Sequence, residues 1–339
     1  MRAKYGHAID LDTCAAAFAF DDKHSFPYLG MYSLIVVDEI SQLQGYQYER
    51  IGQLWQQADK AVCVIVLGDK WQIAGFGNER PWHTGMWKLQ TFKIEFHKPW
   101  RCQDEDLQQM LDALRTAKPN DELLAFLKSK QAWAPPGQPT PQGIGKLFRA
   151  WPKVVIMTCT RRGSMKVNDC ALQAFYPRYE PRAVLPGDVE SNPDNYHRDG
   201  TLKAHRSLKQ LEFPVFVGMR TMFTRNVRKD IDYVNGMMGT LEAYESATGR
   251  LRILTDTGFH VEVIPWTDRE LGGLVYYPIK PGYSSTILKL QGSEQSKIVA
   301  FLDAPNVPGA AYTALSRISY MADFLIGGII TADHFCPAR

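Results

Sequence analysis

Two short apolar runs, each stopping at acidic residues, constrain the fold of this chain more than any other feature. Leu34-Ile35-Val36-Val37 ends at Asp38-Glu39, and Ala61-Val62-Cys63-Val64-Ile65-Val66-Leu67 ends at Gly68-Asp69. Two further runs lie in the second half: Val154-Val155-Ile156-Met157, closed by Thr158, and Ile298-Val299-Ala300-Phe301-Leu302, closed by Asp303. A strand with one solvated face alternates apolar and polar residues, whereas continuous runs rich in β-branched residues belong to parallel sheets covered on both faces. Helical spacing lies between them. Leu107, Met110, Leu111 and Leu114 recur at i, i+3, i+4, i+7 within Asp104 to Ala117, and Pro119 stands just beyond. Gly309 to Ser319 predicts a second, shorter helix. Strands alternating with helices predict an α/β architecture with largely parallel sheets.

The chain is 339 residues long, enough for about two domains. A hydrophobic fraction of 45% allows sizeable cores and excludes a disordered or collagen-like chain. No apolar run approaches the ~18–20 residues that cross a bilayer, and Met1-Arg2-Ala3-Lys4 opens no secretory signal. Cys14, Cys63, Cys102, Cys159, Cys170 and Cys336 form no C-x-x-C pair. That spacing predicts reduced thiols, as in a cytosolic, nuclear or organellar-matrix protein. His97 and His205 have no neighbours at metal-ligand spacing, which argues against zinc. A net charge of +3 is compatible with a local basic strip inside a balanced surface.

A proline-rich stretch, residues 134–145, separates two halves. Residues 213–282 change character again. Val215 to Met222, Gly239 to Tyr244, Leu251 to Leu254 and Val261 to Ile264 read as short strands, with turns at Asn235-Gly236 and Thr257-Gly258. They predict a small antiparallel module inserted in the second α/β domain. Residues 186–200, rich in Pro, Asp and Asn, predict an exposed loop.

Carboxylates at the carboxyl end of a buried strand lie where open α/β sheets bind ligands. Nucleotide hydrolysis needs one such group to hold Mg²⁺ and often another to orient and deprotonate a water. Asp38 and Glu39 fit that pair. Gly68 permits a tight turn after the next strand, and Gln72 is placed to reach a phosphate oxygen or a water.

With these elements the chain resembles the superfamily 1 helicases. Asp38-Glu39-Ile40-Ser41 matches their second motif, a Walker B, and Gly68-Asp69 with Gln72 matches their third. Trp87, then Phe96 to Arg101 with Gln103-Asp104, is similar to the arginine-bearing segment of the petite-integration-frequency (PIF-type) and RecD-like branch. Val155 to Asn168 resembles motif four. Val217 to Met222, with Asn235-Gly236 and Gly239-Thr240, resembles the opening of the PIF-type inserted β domain. Thr286 to Glu294 resembles motif five, and Ala311 to Arg317 motif six.

The resemblance implies tandem RecA-like P-loop NTPase domains with parallel sheets, the second carrying an SH3-like antiparallel β insertion. The expected boundaries are 1–133 for the first motor domain, 134–145 for the linker, 146–212 with 283–339 for the second motor domain, and 213–282 for the insertion. It implies ATP and Mg²⁺ as cofactors, single-stranded or forked DNA as partner, 5′-to-3′ polarity and a monomer. Nothing in the residues separates DNA from RNA. Asp38 would hold Mg²⁺, Glu39 would act as general base and Gln72 would sense the γ-phosphate. Arg101 and Arg317 would stabilise charge on the transferring phosphoryl group. Gly68, Asp69, Gly292 and Glu294 would lie near the nucleotide. Thr158, Thr286 and Lys289 would contact nucleic acid. Apart from the motifs, Arg220, Arg225, Arg228 and Lys229 with Phe223 and Tyr233 form a basic, aromatic-punctuated stretch that reads as a further nucleic-acid contact or as a solvated loop face.

Two departures stand out. Motif five carries Leu288 where the family has His. The family's first motif, a Gly-rich loop ending Gly-Lys-Ser/Thr, is absent, and the only Gly-Lys, Gly145-Lys146, is followed by Leu147. The resemblance then implies that the phosphate-loop strand precedes Met1, that residues 3–20 are a remnant of the segment after that loop, and that the chain alone is inactive. The alternative is a descendant that binds nucleic acid or a partner without turnover.

Overall fold

The computed structural model describes residues 9–10, 12–20, 27–75, 79–89, 92–96, 100–133, 137–197, 201–269 and 271–338. The segments 3–20 and 96–101 are thus described in part, and His97 and the His205 side chain lie outside the described residues. The chain divides into two compact units, Met1–Lys98 and Pro99–Arg339.

In the first unit β1 (Leu34–Val37) and β2 (Cys63–Val66) pair in parallel, with Val37 opposite Val66. Helix α1 (Gly45–Gln56) connects them. Gln44 and Gln47 close its first turn as a capping box, and Tyr48, Ile51 and Leu54 bury one face. That face packs with Phe18, Leu29, Val37, Ile40 and Leu43 into one core. On the other face Leu34, Val36 and Ile65 are 50%, 53% and 43% exposed. Among the described residues, the core of this unit lies on one side of the sheet, short of the coverage on both faces expected for the apolar runs.

The second unit meets that expectation. Its sheet runs β13-β3-β14-β15, all parallel. The central strands β3 (Val155–Thr158) and β14 (Ile298–Phe301) are buried at every position. The outer ones are β13 (Ser284–Thr286) and β15 (Phe324–Gly327). Helix α2 (Glu105–Thr116) follows the expected spacing: Asp104 caps it by accepting from the Asp106 and Leu107 amides, and the four predicted apolar residues are buried. Helices α3 (Asp121–Ser129), α4 (Pro141–Ala150), α5 (Arg161–Phe175) and α6 (Ala310–Leu315) complete the unit.

Residues 100–133, grouped with the first motor domain by the sequence, pack within the second unit. The Gln103 amide donates to the Ser319 carbonyl (3.0 Å), and Ala132 donates to that of Ile326 (2.8 Å). The described part of the expected linker, residues 137–145, is anchored as well. Trp133 donates from its indole to the Gly137 carbonyl (2.6 Å), and its ring abuts Gly327 so closely that a Cβ there would stand 2.3 Å away. From Pro141 onward the stretch is helical, with Pro at the first position and Thr140 as cap, a place where proline's missing N–H costs nothing.

The insertion is a five-stranded antiparallel sheet, ordered β12-β6-β7-β8-β9. Its strands are β6 (Arg220–Phe223), β7 (Met238–Glu245), β8 (Arg250–Thr255), β9 (His260–Val263) and β12 (Ile279–Pro281). Two antiparallel pairs flank it: β4 (Ala183–Pro186) with β5 (Glu212–Val215), and β10 (Trp266–Asp268) with β11 (Leu274–Tyr276). Val215 to Met222 is two strands rather than one, because Gly218 turns the chain at φ +87°. Gly236 and Gly258, both at φ +94°, form the expected turns. The segment 186–197 is no free loop. Asp188, Val189 and Asn195 are almost fully buried, and the Asn192 and Asn195 amides both donate to the Lys209 carbonyl.

The buried sheet predicts a stability contrast. Ile156→Ala, at a fully buried site in β3, should cost about 2–5 kcal/mol. Val184→Ala, on an exposed strand position, should change stability by about 0.5 kcal/mol or less. Urea unfolding midpoints would show the difference.

Candidate functional site

In the first unit the two strand ends meet. The Leu67 amide donates to the Val37 carbonyl (2.8 Å) and the Ile40 amide to the Leu67 carbonyl (2.9 Å), which sets Asp38-Glu39 beside Gly68-Asp69. Asp38 is exposed, and its Oδ1 accepts from the Glu39 amide at 2.8 Å. Glu39 sits in the left-handed region, φ 53° and ψ 46°. Such a backbone in a glutamate costs on the order of 1–3 kcal/mol and is concentrated at functional sites.

Gly68 is required where it stands. Its φ is +154°, and a Cβ would lie 2.8 Å from Ile40 Cγ2 and 2.9 Å from the Ile40 amide nitrogen. Asp69 builds the turn that presents Gln72, accepting from the Trp71 amide on Oδ1 (2.9 Å) and from the Gln72 amide on its carbonyl (3.1 Å). The Gln72 Oε1 is buried with no hydrogen-bond partner among the described residues. An orphaned buried acceptor costs about 1–3 kcal/mol, so this position favours a donor.

In the second unit, residues far apart in sequence gather at the end of α6. Arg101 donates from Nη1 to the Ser316 carbonyl (3.2 Å), and its Nε is buried with no hydrogen-bond partner among the described residues. Arg317, 2% exposed, donates from Nε to the Thr313 carbonyl (3.0 Å) and from Nη2 to Ser316 Oγ (2.9 Å). The Gln295 amide donates to the Arg317 carbonyl (2.9 Å), and Ser319 Oγ donates to Glu294 Oε1 (3.4 Å). The Met321 amide reaches Asp104 Oδ2 at 2.9 Å. The predicted arginine pair and Glu294 are thus assembled by one turn, Ser316 to Met321. Gly292, exposed at φ +81°, turns the chain just before it.

The nucleic-acid candidates have divergent fates. Thr158 is fully buried, and its hydroxyl donates to the Thr160 carbonyl (2.8 Å), so it serves the turn into α5 and presents no surface. Thr286, opposite it in β13, is half-buried. Arg220 is bound bidentately to Asp256, both contacts at 2.6 Å. Arg225 is enclosed by Glu190 (2.9 Å), Asp188 (3.3 Å) and Asp268 (3.5 Å), with Tyr276 Oη 2.7 Å from its Nε. Burial works against its charge, but the nearby Asp188 and Glu190 outweigh it and hold the guanidinium above its ordinary pKa. Lys289 is half-buried, and burial pushes its ammonium down to about 8. Sequence reasoning missed Lys280, which burial and then repulsion by Lys289 push down to about 7. No motif spacing marks it.

The fold is α/β with parallel sheets, the RecA-like architecture shared with solved Pif1 helicases. No family model matches the chain. Among sequence relatives, the ATP-dependent DNA helicase Pif1 of Campylobacter jejuni is 24% identical over 313 residues, covering 84% of this chain and 67% of that protein. The human ATP-dependent DNA helicase PIF1 is 24% identical over 307 residues, again 84% of this chain but 44% of its own length. Bacteroides Pif1 in complex with ADP-AlF3 and ssDNA shares the fold at TM-score 0.69 and 18% identity, over 95% of this chain and 80% of that one. The Pif1 helicase of Candida albicans aligns at TM-score 0.67 and 18% identity, over 91% and 74%. By sequence and by fold, this chain is Pif1-like.

Two outcomes test the geometry. Gly68→Ala should destabilise the first unit by roughly 1–3 kcal/mol through backbone strain and the Ile40 clash, read by thermal denaturation. Arg225→Met leaves Asp188 buried beside an apolar side chain, a loss of about 3–5 kcal/mol. The same substitution should leave the salt dependence of any nucleic-acid binding unchanged, because the guanidinium is already neutralised.

Proposed function

We propose that this chain carries the motor body of an ATP-dependent DNA helicase that moves 5′-to-3′ along single-stranded or forked DNA. The observation that carries the reading is the assembly of Arg101, Glu294 and Arg317 on the single turn after α6. Three motif segments, from three parts of the chain, meet there, which supports the reading. The Pif1 relatives support the same reading.

ATP would supply the free energy for stepping. Asp38 suits Mg²⁺, which keeps most of its waters and is held by one or two carboxylates together with substrate phosphates. Its carboxylate is exposed at a strand end, the position such a shared ion needs. Glu39 would orient and deprotonate the attacking water. Gln72, with its orphaned Oε1, would follow the γ-phosphate by way of a bound donor. Arg101 and Arg317 would supply guanidinium charge, which stays protonated and matches phosphate in a planar fork.

One observation favours a second reading, a protein that binds nucleic acid without turnover. Gly145-Lys146, the only Gly-Lys in the chain, lies inside α4 with Gly145 buried, so it forms no phosphate loop. The amides and lysine of such a loop cradle the β- and γ-phosphates.

Single-strand-stimulated ATP hydrolysis, measured beside DNA binding for the wild type and Glu39→Gln, separates the readings. The expected result for the chain alone is DNA binding in both proteins without stimulated turnover. Stimulated turnover that falls roughly 10²-fold or more in the variant would favour the helicase reading over the second and overturn the inactivity expected of a chain with no Gly-Lys-Ser/Thr loop. Failure to bind DNA overturns both.

A further inference from the structure

Phe92-Lys93-Ile94-Glu95-Phe96, in the first unit, alternates large apolar and charged residues, the period of a strand that buries one face. Among the described residues it joins no sheet, and none of its amides or carbonyls has a hydrogen-bond partner. Phe92, Ile94 and Phe96 are 89%, 79% and 80% exposed, and no other apolar pair at i, i+2 spacing among the described residues is as bare. The run is tethered from its charged side. Lys93 Nζ lies 5.4 Å from the centroid of the Trp87 ring, and Trp87 packs against the core that α1 helps to build. An exposed cation–π contact leaves the donors of that ammonium free for a carboxylate.

A bare strand with an apolar face is a template for another strand. This one is complementary to itself when two copies run antiparallel about Ile94. Phe92 then stands opposite Phe96 of the second copy, Ile94 opposite Ile94, and Lys93 opposite Glu95. Directly opposed residues share a face, so three apolar pairs gather on one side of the ribbon and two ion pairs on the other. Other registers fail. A slip of one residue sets apolar against charged side chains. A slip of two sets Lys93 against Lys93 or Glu95 against Glu95, and in-register parallel pairing stacks both like charges.

We propose that residues 92–96 are a self-association strand, through which two copies of this chain pair antiparallel about a two-fold axis at Ile94. The occupant of the bare strand is thus its own counterpart. This departs from the monomer that the helicase resemblance implies, and it stands apart from the question of turnover. Five residues a side make a small contact, so the dimer is a transient one that fills only at high protein concentration.

The test is sedimentation velocity of the full chain over a concentration series at low salt. The wild type should pass from monomer to dimer, and added salt should weaken the dimer by screening its ion pairs. Lys93→Glu sets Glu against Glu at both charged pairs, and Glu95→Lys sets Lys against Lys. Each variant alone should need about tenfold more protein to dimerise. Mixed in equal amounts, the two variants should dimerise with each other as readily as the wild type, because every opposed pair is again Lys with Glu. A folding defect would not be rescued by mixing, and thermal midpoints should match wild type at these exposed positions. A wild type that stays monomeric throughout overturns the proposal. So do single variants that dimerise like wild type, or a mixture that fails to recover. Assemblies that grow beyond the dimer with concentration overturn the closed two-fold pair.

Discussion

The second unit is organised by one carboxylate at the end of a buried strand. Asp303, just past β14, accepts from the Cys159 amide (2.8 Å) and the Thr160 amide (3.2 Å) on Oδ1, and from the Thr160 hydroxyl on Oδ2. Thr160 Oγ1 in turn caps α5 by accepting from the Gly163 amide (2.9 Å). The contact is so close that a Cβ on Gly163 would stand 2.2 Å from Asp303 Oδ2. One side chain therefore fixes the ends of β3 and β14 and the start of α5. The direction of Arg161 and the burial of Cys159, whose thiol is pushed up to about 12 by desolvation, depend on it.

The same arrangement, a carboxylate where a parallel strand leaves the sheet, has a different purpose in the first unit. Asp38 there is exposed and, among the described residues, accepts from its neighbour's amide alone. Asp303 is consumed by structural bonds, whereas Asp38 keeps its charge available. Sequence alone could not separate them, since both are acidic residues after apolar runs. What differs is whether a helix N-terminus with a hydroxyl cap is packed against the carboxylate.

That contrast explains how much was legible. Strands β1, β2, β3 and β14 and helix α2 were readable because their signals are local: period, β-branching and caps. The motif order was readable because each segment carries its own residue types. The pairing of Arg220 with Asp256 and the enclosure of Arg225 by Asp188, Glu190 and Asp268 were not, because each depends on partners tens of residues away. A basic, aromatic-punctuated stretch looks the same in sequence whether its charges are spent or free. Lys280 is the converse: an unremarkable lysine between prolines, whose ammonium is held below its ordinary pKa first by burial and then by repulsion from Lys289 and Arg161.

Charge in this unit is thus divided rather than diffuse. The arginines of the insertion are held in ion pairs that stiffen it: Arg220 ties β6 to the Asp256 turn, and Arg225 ties the insertion to the segment after β4. Lys280 and Lys289 lie outside those pairs, on the last strand of the insertion and on the turn after the next strand of the motor sheet. Because β12 runs through Gly282 directly into β13, the insertion joins the motor sheet across only a few residues. That short span is where movement of either element would be felt by the other.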